Sequence, residues 1–207
     1  MPNSTDPTPE AVLDLARRDS GNLGRLLDGY RNYLTMLARL QVGDRLQGKL
    51  DASDLVQETF LEAHQEFPAF RGQTERELIA WLRKILASKV TATVRRFCDA
   101  RRRDVDLERR LHEIMDRTSQ IARNLAMSQT SPSEIAARRE RAVLLADALA
   151  AMPVDYRQVI LLRDLRELSF PEVAQRMGRS ADAVRKLWVR ALGDLHRLLA
   201  ERFGDVL

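Results

Sequence analysis

Between Arg176 and Arg202 the chain carries seven Arg or Lys residues (176, 179, 185, 186, 190, 197 and 202) against three acids, Asp182, Asp194 and Glu201. Guanidinium and ammonium groups repeated at helical spacing can bind phosphates and base edges. They can equally well line a solvated helix face, and their placement decides between the two. At about 100° per residue, Asp182, Lys186, Val189, Arg190, Gly193 and Arg197 fall on one side of a helix. Val184, Leu187, Trp188, Ala191, Leu195 and Leu198 fall on the other. One side is built for a core and the other is free to meet a partner.

Two further clusters could do chemistry of recognition. In the helix that Asp51 should cap, Leu55, Val56, Thr59, Phe60 and Ala63 form an apolar stripe. The opposite face holds Asp54, Gln57, Glu58, Leu61 and Gln65, so Leu61 stands alone among polar groups. An isolated Leu on a surface is ordinary, but an apolar anchor ringed by polar groups is also how a protein-binding face is built. Further on, Lys84, Ser88, Thr91 and Arg95 line one side of a helix with Trp81 at its edge, flanked by Arg83, Lys89 and Arg96. Cations for phosphates and an aromatic for a base suit a nucleic-acid strand, against the plainer reading of a solvated basic helix.

The elements that must position these groups are helices. Ser169 with Glu172 three residues on forms a capping box, and Pro171 sits in the first turn, where a missing N–H costs little. Val173, Ala174 and Met177 give that helix an apolar side, Gly178 stops it and Ser180 caps the next. A short helix, a tight glycine turn and a longer helix make a helix-turn-helix. Upstream, the periodicity predicts a short helix from Ala11 to Arg18. It predicts a longer one from Gly21-Asn22 to about Leu40, with Leu23, Leu26, Leu27, Tyr30, Leu34, Leu37 and Ala38 inward. A helix over Glu75 to Phe97 should bury Leu78, Ile79, Leu82, Ile85, Leu86, Val90, Thr93 and Phe97. One from Glu134 to Ala151 should bury Leu144, Leu145, Ala148 and Leu149, and one from Asp155 to Arg166 carries Val159, Ile160 and Leu162. Gly43 to Gly48 and Phe67 to Glu75 read as loops.

The chain as a whole agrees with an all-α protein of two small domains. It has 207 residues, 44% hydrophobic, 5% aromatic and 31% charged, with net charge +4. Gly and Pro are sparse and Leu, Ala, Arg and Glu dominate, a helical composition. Residues 1–10 read as a disordered tail, 11–98 as the first helical domain, 99–133 as a charged and polar linker and 134–207 as the second domain. Cys98 is the sole cysteine, which excludes an internal disulfide and a cysteine-based zinc site and fits a reducing cytoplasm. No apolar run reaches the roughly 18 residues of a membrane span, and the start lacks a signal peptide's apolar core. His64, His112 and His196 are scattered, and there is no zinc-protease motif, phosphate loop or nucleophile elbow. Neither a catalytic site, a cofactor nor a metal is expected.

At the level of motifs the chain resembles bacterial RNA polymerase sigma factors of the extracytoplasmic-function group, in the sigma-70 family. Asp54-Leu55-Val56-Gln57-Glu58-Thr59-Phe60 resembles the family's polymerase-binding segment. Phe70-Arg71-Gly72 followed by Ala80-Trp81-Leu82-Arg83-Lys84-Ile85 resembles its next segment. Leu149 through Pro153, Arg157, Val159, Leu168-Ser169, Glu172-Val173-Ala174, Gly178-Arg179-Ser180 and Val184-Arg185 resemble its fourth region. Ser88 stands where the family often has Asn, and Leu187 and Leu192 where its recognition helix often has Arg.

The resemblance implies a transcription initiation factor. Asp54, Gln57, Glu58 and Leu61 would bind core RNA polymerase. Phe70, Arg71, Trp81, Lys84, Ser88, Lys89, Thr91, Arg95 and Arg96 would meet the minus-ten promoter DNA, hold the melted strand and capture an extruded base. Ser169, Arg179, Ser180, Asp182, Arg185, Lys186, Val189 and Arg190 would meet the minus-thirty-five element. An anti-sigma factor is an implied partner; with no sensor domain after Leu207, control is expected from a partner or from synthesis. Two alternatives stand beside this: a helix-turn-helix regulator that binds operators as a dimer, and a helical protein-binding module that reads no DNA. The first 100 residues do not resemble a dimerisation or ligand domain, and the basic helix argues against the second.

Overall fold

The computed structural model describes residues 9–42, 51–99 and 132–203. Every regular element among them is helical: α1 (Pro9–Arg18), α2 (Ser20–Asp28), α3 (Arg31–Gln41), α4 (Ala52–Glu66), α5 (Glu75–Asp99), α6 (Pro132–Ala151), α7 (Val154–Ile160), α8 (Phe170–Met177) and α9 (Ala181–Phe203). A 3-10 turn at Phe67–Ala69 follows α4, and a π turn at Leu161–Leu165 follows α7. The all-α expectation holds. The chain divides into two compact units, Met1–Arg139 and Glu140–Leu207, the division falling inside α6. Of the expected 1–10 tail only Pro9 and Glu10 are described, and they already belong to α1; α6 likewise starts at Pro132, two residues before the expected Glu134. The expected linker lies outside the described residues between 100 and 131, as does the Gly43 to Gly48 loop.

In the first unit α5 is the central element. Leu78, Ile79, Leu82, Ile85, Leu86 and Val90 are all at most 4% exposed, and α5 packs against α1, α3 and α4. Their spacing keeps six aliphatic side chains on one stripe, as the periodicity predicts. Phe97 lies where side chains are outside the described residues. Across from α5, α4 buries Leu55, Val56, Thr59 and Ala63. Thr59 is tolerated there because its hydroxyl donates to the Leu55 carbonyl, one turn back, at 2.7 Å. Asp51 caps α4, its carboxylate accepting the Ser53 N–H at 2.8 Å. Phe60, expected in the core stripe, is only half-buried; its ring carries the Arg31 guanidinium, 5.0 Å from the centroid.

The expected long helix over 22–40 is two, α2 and α3, broken at Gly29 and Tyr30. Gly29 is a weak helix former, and the Tyr30 N–H tightens onto the Leu27 carbonyl at 3.0 Å. The Tyr30 hydroxyl donates to Glu75 at 2.8 Å, tying the break to the start of α5. The break keeps the buried face in phase, so all seven predicted apolar residues are buried nonetheless.

Phe67 to Glu75, read as a plain loop, is more ordered than that. Phe67 is buried, and it packs with Phe70 (centroids 6.0 Å) and Trp81 (6.3 Å), while Phe70 and Trp81 stack at 4.7 Å. Gly72 makes the stack possible: a Cβ there would stand 2.8 Å from Glu77 Cβ and closer still to Phe70 Cζ. Arg17 of α1 donates to the Gly72 carbonyl. Thr74 and Glu77 form a capping box at the start of α5, with the Glu77 carboxylate accepting the Gln73 N–H at 2.8 Å and the Thr74 N–H at 3.1 Å. These bonds hold the Glu77 carboxyl below its ordinary pKa, the Gln73 N–H first among them.

The second unit buries Ala142, Ala146, Ala148, Leu149, Val159, Ile160, Leu162, Val173, Ala174, Val184, Leu187, Ala191 and Leu195. Leu144, Leu145 and Met177, all expected inward, are half-buried. The helix expected over Asp155 to Arg166 begins at Val154 and widens at Leu161, where the Arg166 N–H reaches back five residues to the Leu161 carbonyl at 3.0 Å. Glu167 then takes a left-handed conformation (φ 56°), turning the chain into α8. The Ser169–Glu172 capping box is formed in both directions. The Ser169 hydroxyl, first, and its N–H hold the Glu172 carboxyl below its ordinary pKa. Gly178 adopts φ 63°, ψ 34°, and Ser180 Oγ accepts the Ala183 N–H at 3.2 Å. The helix-turn-helix is therefore built as the sequence predicts.

Two outcomes follow from these local constraints. A Cβ at Gly178 would meet nothing within 4 Å, so Gly178→Ala costs only the left-handed backbone, about 1–2 kcal/mol, measured by chemical denaturation. Protonating Glu77 or Glu172 removes a capping acceptor. Because both carboxyls are depressed in the fold, their contribution is complete above the ordinary carboxylate range and is lost as pH falls through the lowered values. Thermal unfolding from neutral to acid pH should therefore show Glu77→Gln and Glu172→Gln less stable than the parent near neutrality, with the difference shrinking as pH falls.

Candidate nucleic-acid interface

In the first unit α4 presents its polar face as predicted. Asp54 and Gln57 are exposed, Glu58 is half-buried, and Leu61 is 65% exposed although it is a large aliphatic side chain. Neighbouring Glu62 reaches from α4 to pair with Lys89 on α5. Lys89 is therefore a half-buried brace between two helices, already matched by a carboxylate. That was not visible in the sequence, where it counted with the unmatched cations.

On α5, Lys84 and Ser88 are exposed and Trp81 is half-buried. Trp81 offers part of its ring to solvent and gives the rest to Phe70. The Arg71 guanidinium donates back to the Pro68 carbonyl at 2.6 Å, closing the turn that carries Phe70. The Thr91 hydroxyl donates to the Ala87 carbonyl at 2.8 Å within its own helix. The side chains of Arg95 and Arg96 lie outside the described residues. The structure thus brings Phe70, Arg71 and Trp81 together, with Lys84 and Ser88 one and two turns along the same helix. Phe67 and Gly72 are the residues missed in the sequence. One is the floor of the aromatic cluster and the other the gap that lets it close.

In the second unit the residues expected to meet DNA separate by partner. Arg179 pairs with Asp155 of α7. Lys186 pairs with Asp182 at 2.9 Å, one turn earlier on α9. Arg197, expected to project freely toward phosphates, is held by Asp194 and Glu201, and those bonds keep its proton more tightly than usual. Arg190 is exposed, and its Nε–H donates to the Lys186 carbonyl at 3.2 Å. Arg185 is exposed and lies over the Phe170 ring, 5.5 Å from the centroid. Val189 is 62% exposed between them. Ser169 and Ser180 spend their side-chain oxygens on helix caps.

Trp188, expected to face the core, is half-buried at its margin. Its indole N–H donates to Asp164 at 2.9 Å and its ring meets Phe170 edge-on, with centroids 5.6 Å apart. The polar end of the indole draws it outward to a carboxylate that lies 24 residues away in sequence, beyond the reach of periodicity. No group of His, Cys, Asp and Glu suited to a metal ion occurs among the described residues, and no helix there is long and apolar enough to cross a membrane. What the three surfaces can do chemically is bind: an apolar anchor amid acids on α4, an aromatic with cations on α5, and cations with hydrogen-bonding side chains at the start of α9.

The comparisons with known proteins cover parts of both units. The family model "Sigma-70 region 2" matches residues 26–103, and "Sigma-70, region 4" matches residues 142–195, together more than half of the chain. The ECF RNA polymerase sigma factor BldN of Streptomyces coelicolor is 29% identical over 202 residues, covering 96% of this chain and 69% of that protein. The ECF RNA polymerase sigma factor SigL of Mycobacterium tuberculosis is 29% identical over 192 residues, covering 92% and 96%. Among solved structures, a chain of an RsbN–BldN complex is 25% identical at a TM-score of 0.32, covering 90% of this chain and 99% of that one. Two regional matches, in order on two helical units, carry the conclusion: this chain belongs to the sigma-70 family, as a transcription initiation sigma factor of the ECF group.

Proposed function

We propose that the chain binds core RNA polymerase through the outward face of α4 and directs it to promoter DNA through α5 and α9. The reading is carried by one observation: both family regions fall, in order, on units whose exposed faces hold recognition groups rather than a catalytic set. Asp54, Gln57, Glu58 and Leu61 bind the polymerase, with Leu61 as the anchor, because burying one exposed aliphatic side chain is worth about 1.5–3 kcal/mol. Phe70, Arg71, Trp81, Lys84, Ser88, Thr91, Arg95 and Arg96 meet the minus-ten element, with Lys89 contributing through its bond to Glu62. Ser169, Arg179, Ser180, Asp182, Arg185, Lys186, Val189 and Arg190 meet the minus-thirty-five element.

The first domain starts with α1 at Pro9 and ends with α5, the second starts with α6 at Pro132, and the stretch over 100–131 joins them. The factor acts in the cytoplasm, without catalytic activity or cofactor of its own, and an anti-sigma factor restrains it. Run-off transcription with core polymerase and a promoter library tests the whole reading. Transcripts that start at a common promoter class are expected, and polymerase that starts no more often with the protein than without it would overturn the reading.

Two substitution sets test the parts. Asp54→Arg with Leu61→Ala should keep the helical circular-dichroism signal, since neither side chain enters the core, and weaken core binding by about 2–4 kcal/mol. Unchanged affinity would return Leu61 to an ordinary surface residue. Arg185→Ala and Lys186→Ala should each relax preference at one base pair of the minus-thirty-five element, at a cost of about 1–3 kcal/mol. Arg197→Ala, by contrast, should change affinity little at any sequence, because two carboxylates hold its guanidinium and it lies far along α9 from the residues proposed to meet the bases.

A further inference from the structure

The cations near the start of α9 are held in place by two kinds of contact. Arg179 and Lys186 are each tied to a carboxylate, Asp155 and Asp182. Arg185 has no carboxylate partner among the described residues. It lies instead over the ring of Phe170, the first residue of α8. The difference matters for recognition. A carboxylate holds an arginine by occupying its N–H donors, which DNA must then win back. An aromatic face attracts the guanidinium plane through the ring's π electrons and leaves the edge, with its five donors, unoccupied.

Phe170 is itself firmly placed. The Arg163 guanidinium also lies over its ring at 4.9 Å, and Trp188 meets it edge-on at 5.6 Å. Arg163 is bonded to the Leu168 carbonyl at 3.3 Å, and Trp188 to Asp164 at 2.9 Å. The platform under Arg185 is therefore braced from the π turn after α7 and from α9 itself. Phe170 also follows the Ser169 cap, so the capping box sets its position along the chain.

We infer that Phe170 is a positioning residue for Arg185: its ring restricts the guanidinium in free protein while keeping the hydrogen-bonding edge available to a base. The inference rests on the proposed reading of the minus-thirty-five element by α9. A long arginine side chain loses rotamer freedom when it binds, and a side chain restricted beforehand loses less. Phe170 makes no base contact in this account. It determines specificity through Arg185 alone.

The test uses the holoenzyme on single-base variants of the minus-thirty-five element, with Phe170→Leu, Phe170→Met, Phe170→Tyr, Arg185→Ala and Phe170→Leu/Arg185→Ala. Phe170→Leu is expected to reduce discrimination about two- to fivefold, at the same base pair whose preference Arg185→Ala relaxes. It should have no further effect on selectivity in the Arg185→Ala background, and Phe170→Tyr should keep the parent's selectivity. Phe170→Met carries the same test if Phe170→Leu lowers the helical signal. A loss of selectivity that persists without Arg185, that spreads evenly over all sequences, or that Phe170→Tyr shares would overturn the inference while leaving the reading helix intact. Unchanged selectivity in Arg185→Ala itself would instead overturn the reading by α9 at that position, and the inference with it.

Discussion

Six aliphatic side chains on one stripe of α5, from Leu78 to Val90, hold the first unit together. At about 1.5–3 kcal/mol for each fully buried side chain, that stripe supplies the main favourable free energy for ordering α1, α3 and α4 around it. Neither α1 nor α3 is long enough to be helical alone in water, and α4 is only at the margin, since isolated helices below about 12–15 residues are marginal even in good sequences. The packing fixes what the opposite faces can be. Once Leu55, Val56, Thr59 and Ala63 turn inward, Leu61 must turn outward, and once Leu78, Leu82 and Ile85 turn inward, Trp81 and Lys84 are left at the margin and outside. The outward faces of α4 and α5 are consequences of a single buried stripe, and Glu62 with Lys89 fastens the two helices that carry them.

The second unit solves the same problem with shorter pieces. An eight-residue helix such as α8 buries only Val173 and Ala174 fully, so its ends carry more of the burden. The Ser169–Glu172 box and the left-handed Gly178 satisfy backbone groups that a short helix would leave open at both termini. These devices also aim the chain: the first sets Phe170 under Arg185, and the second delivers Ser180 as the cap of α9. Local capping and the geometry at the start of α9 are thus set by the same residues.

Much of this was legible in the sequence because helices write their burial at a fixed period. Most core residues of α4, α5 and α9, though not Phe60, Trp188 or Leu198, the capping box at the start of α8 and the glycine turn follow from spacing within a few residues. The losses have a common cause as well. Gly29 interrupts a helix without shifting its buried face, so periodicity runs straight through the break between α2 and α3. The partners of Lys89, Arg179 and Trp188 lie more than 20 residues away in sequence, and nothing local distinguishes a paired surface cation from an unpaired one. Gly72 reads as part of a loop, whereas in the structure it leaves room for the Phe70 ring. The individual contacts of the recognition residues depend on tertiary pairing, which a single chain of letters does not display.

The pairing of cations has a consequence for how the protein shares a cell with bulk DNA. Each phosphate neutralised by a free cation releases counterions and strengthens binding to any sequence. Arg179, Lys186 and Arg197 already have acids beside them, so they must exchange one anion for another and gain little from a random duplex. A factor with all of these charges bare would be titrated by the vast excess of genomic sites. Pairing of this kind lowers the gain from non-specific contact, and it sets Arg185, which lies over Phe170 with no carboxylate partner among the described residues, apart from its neighbours.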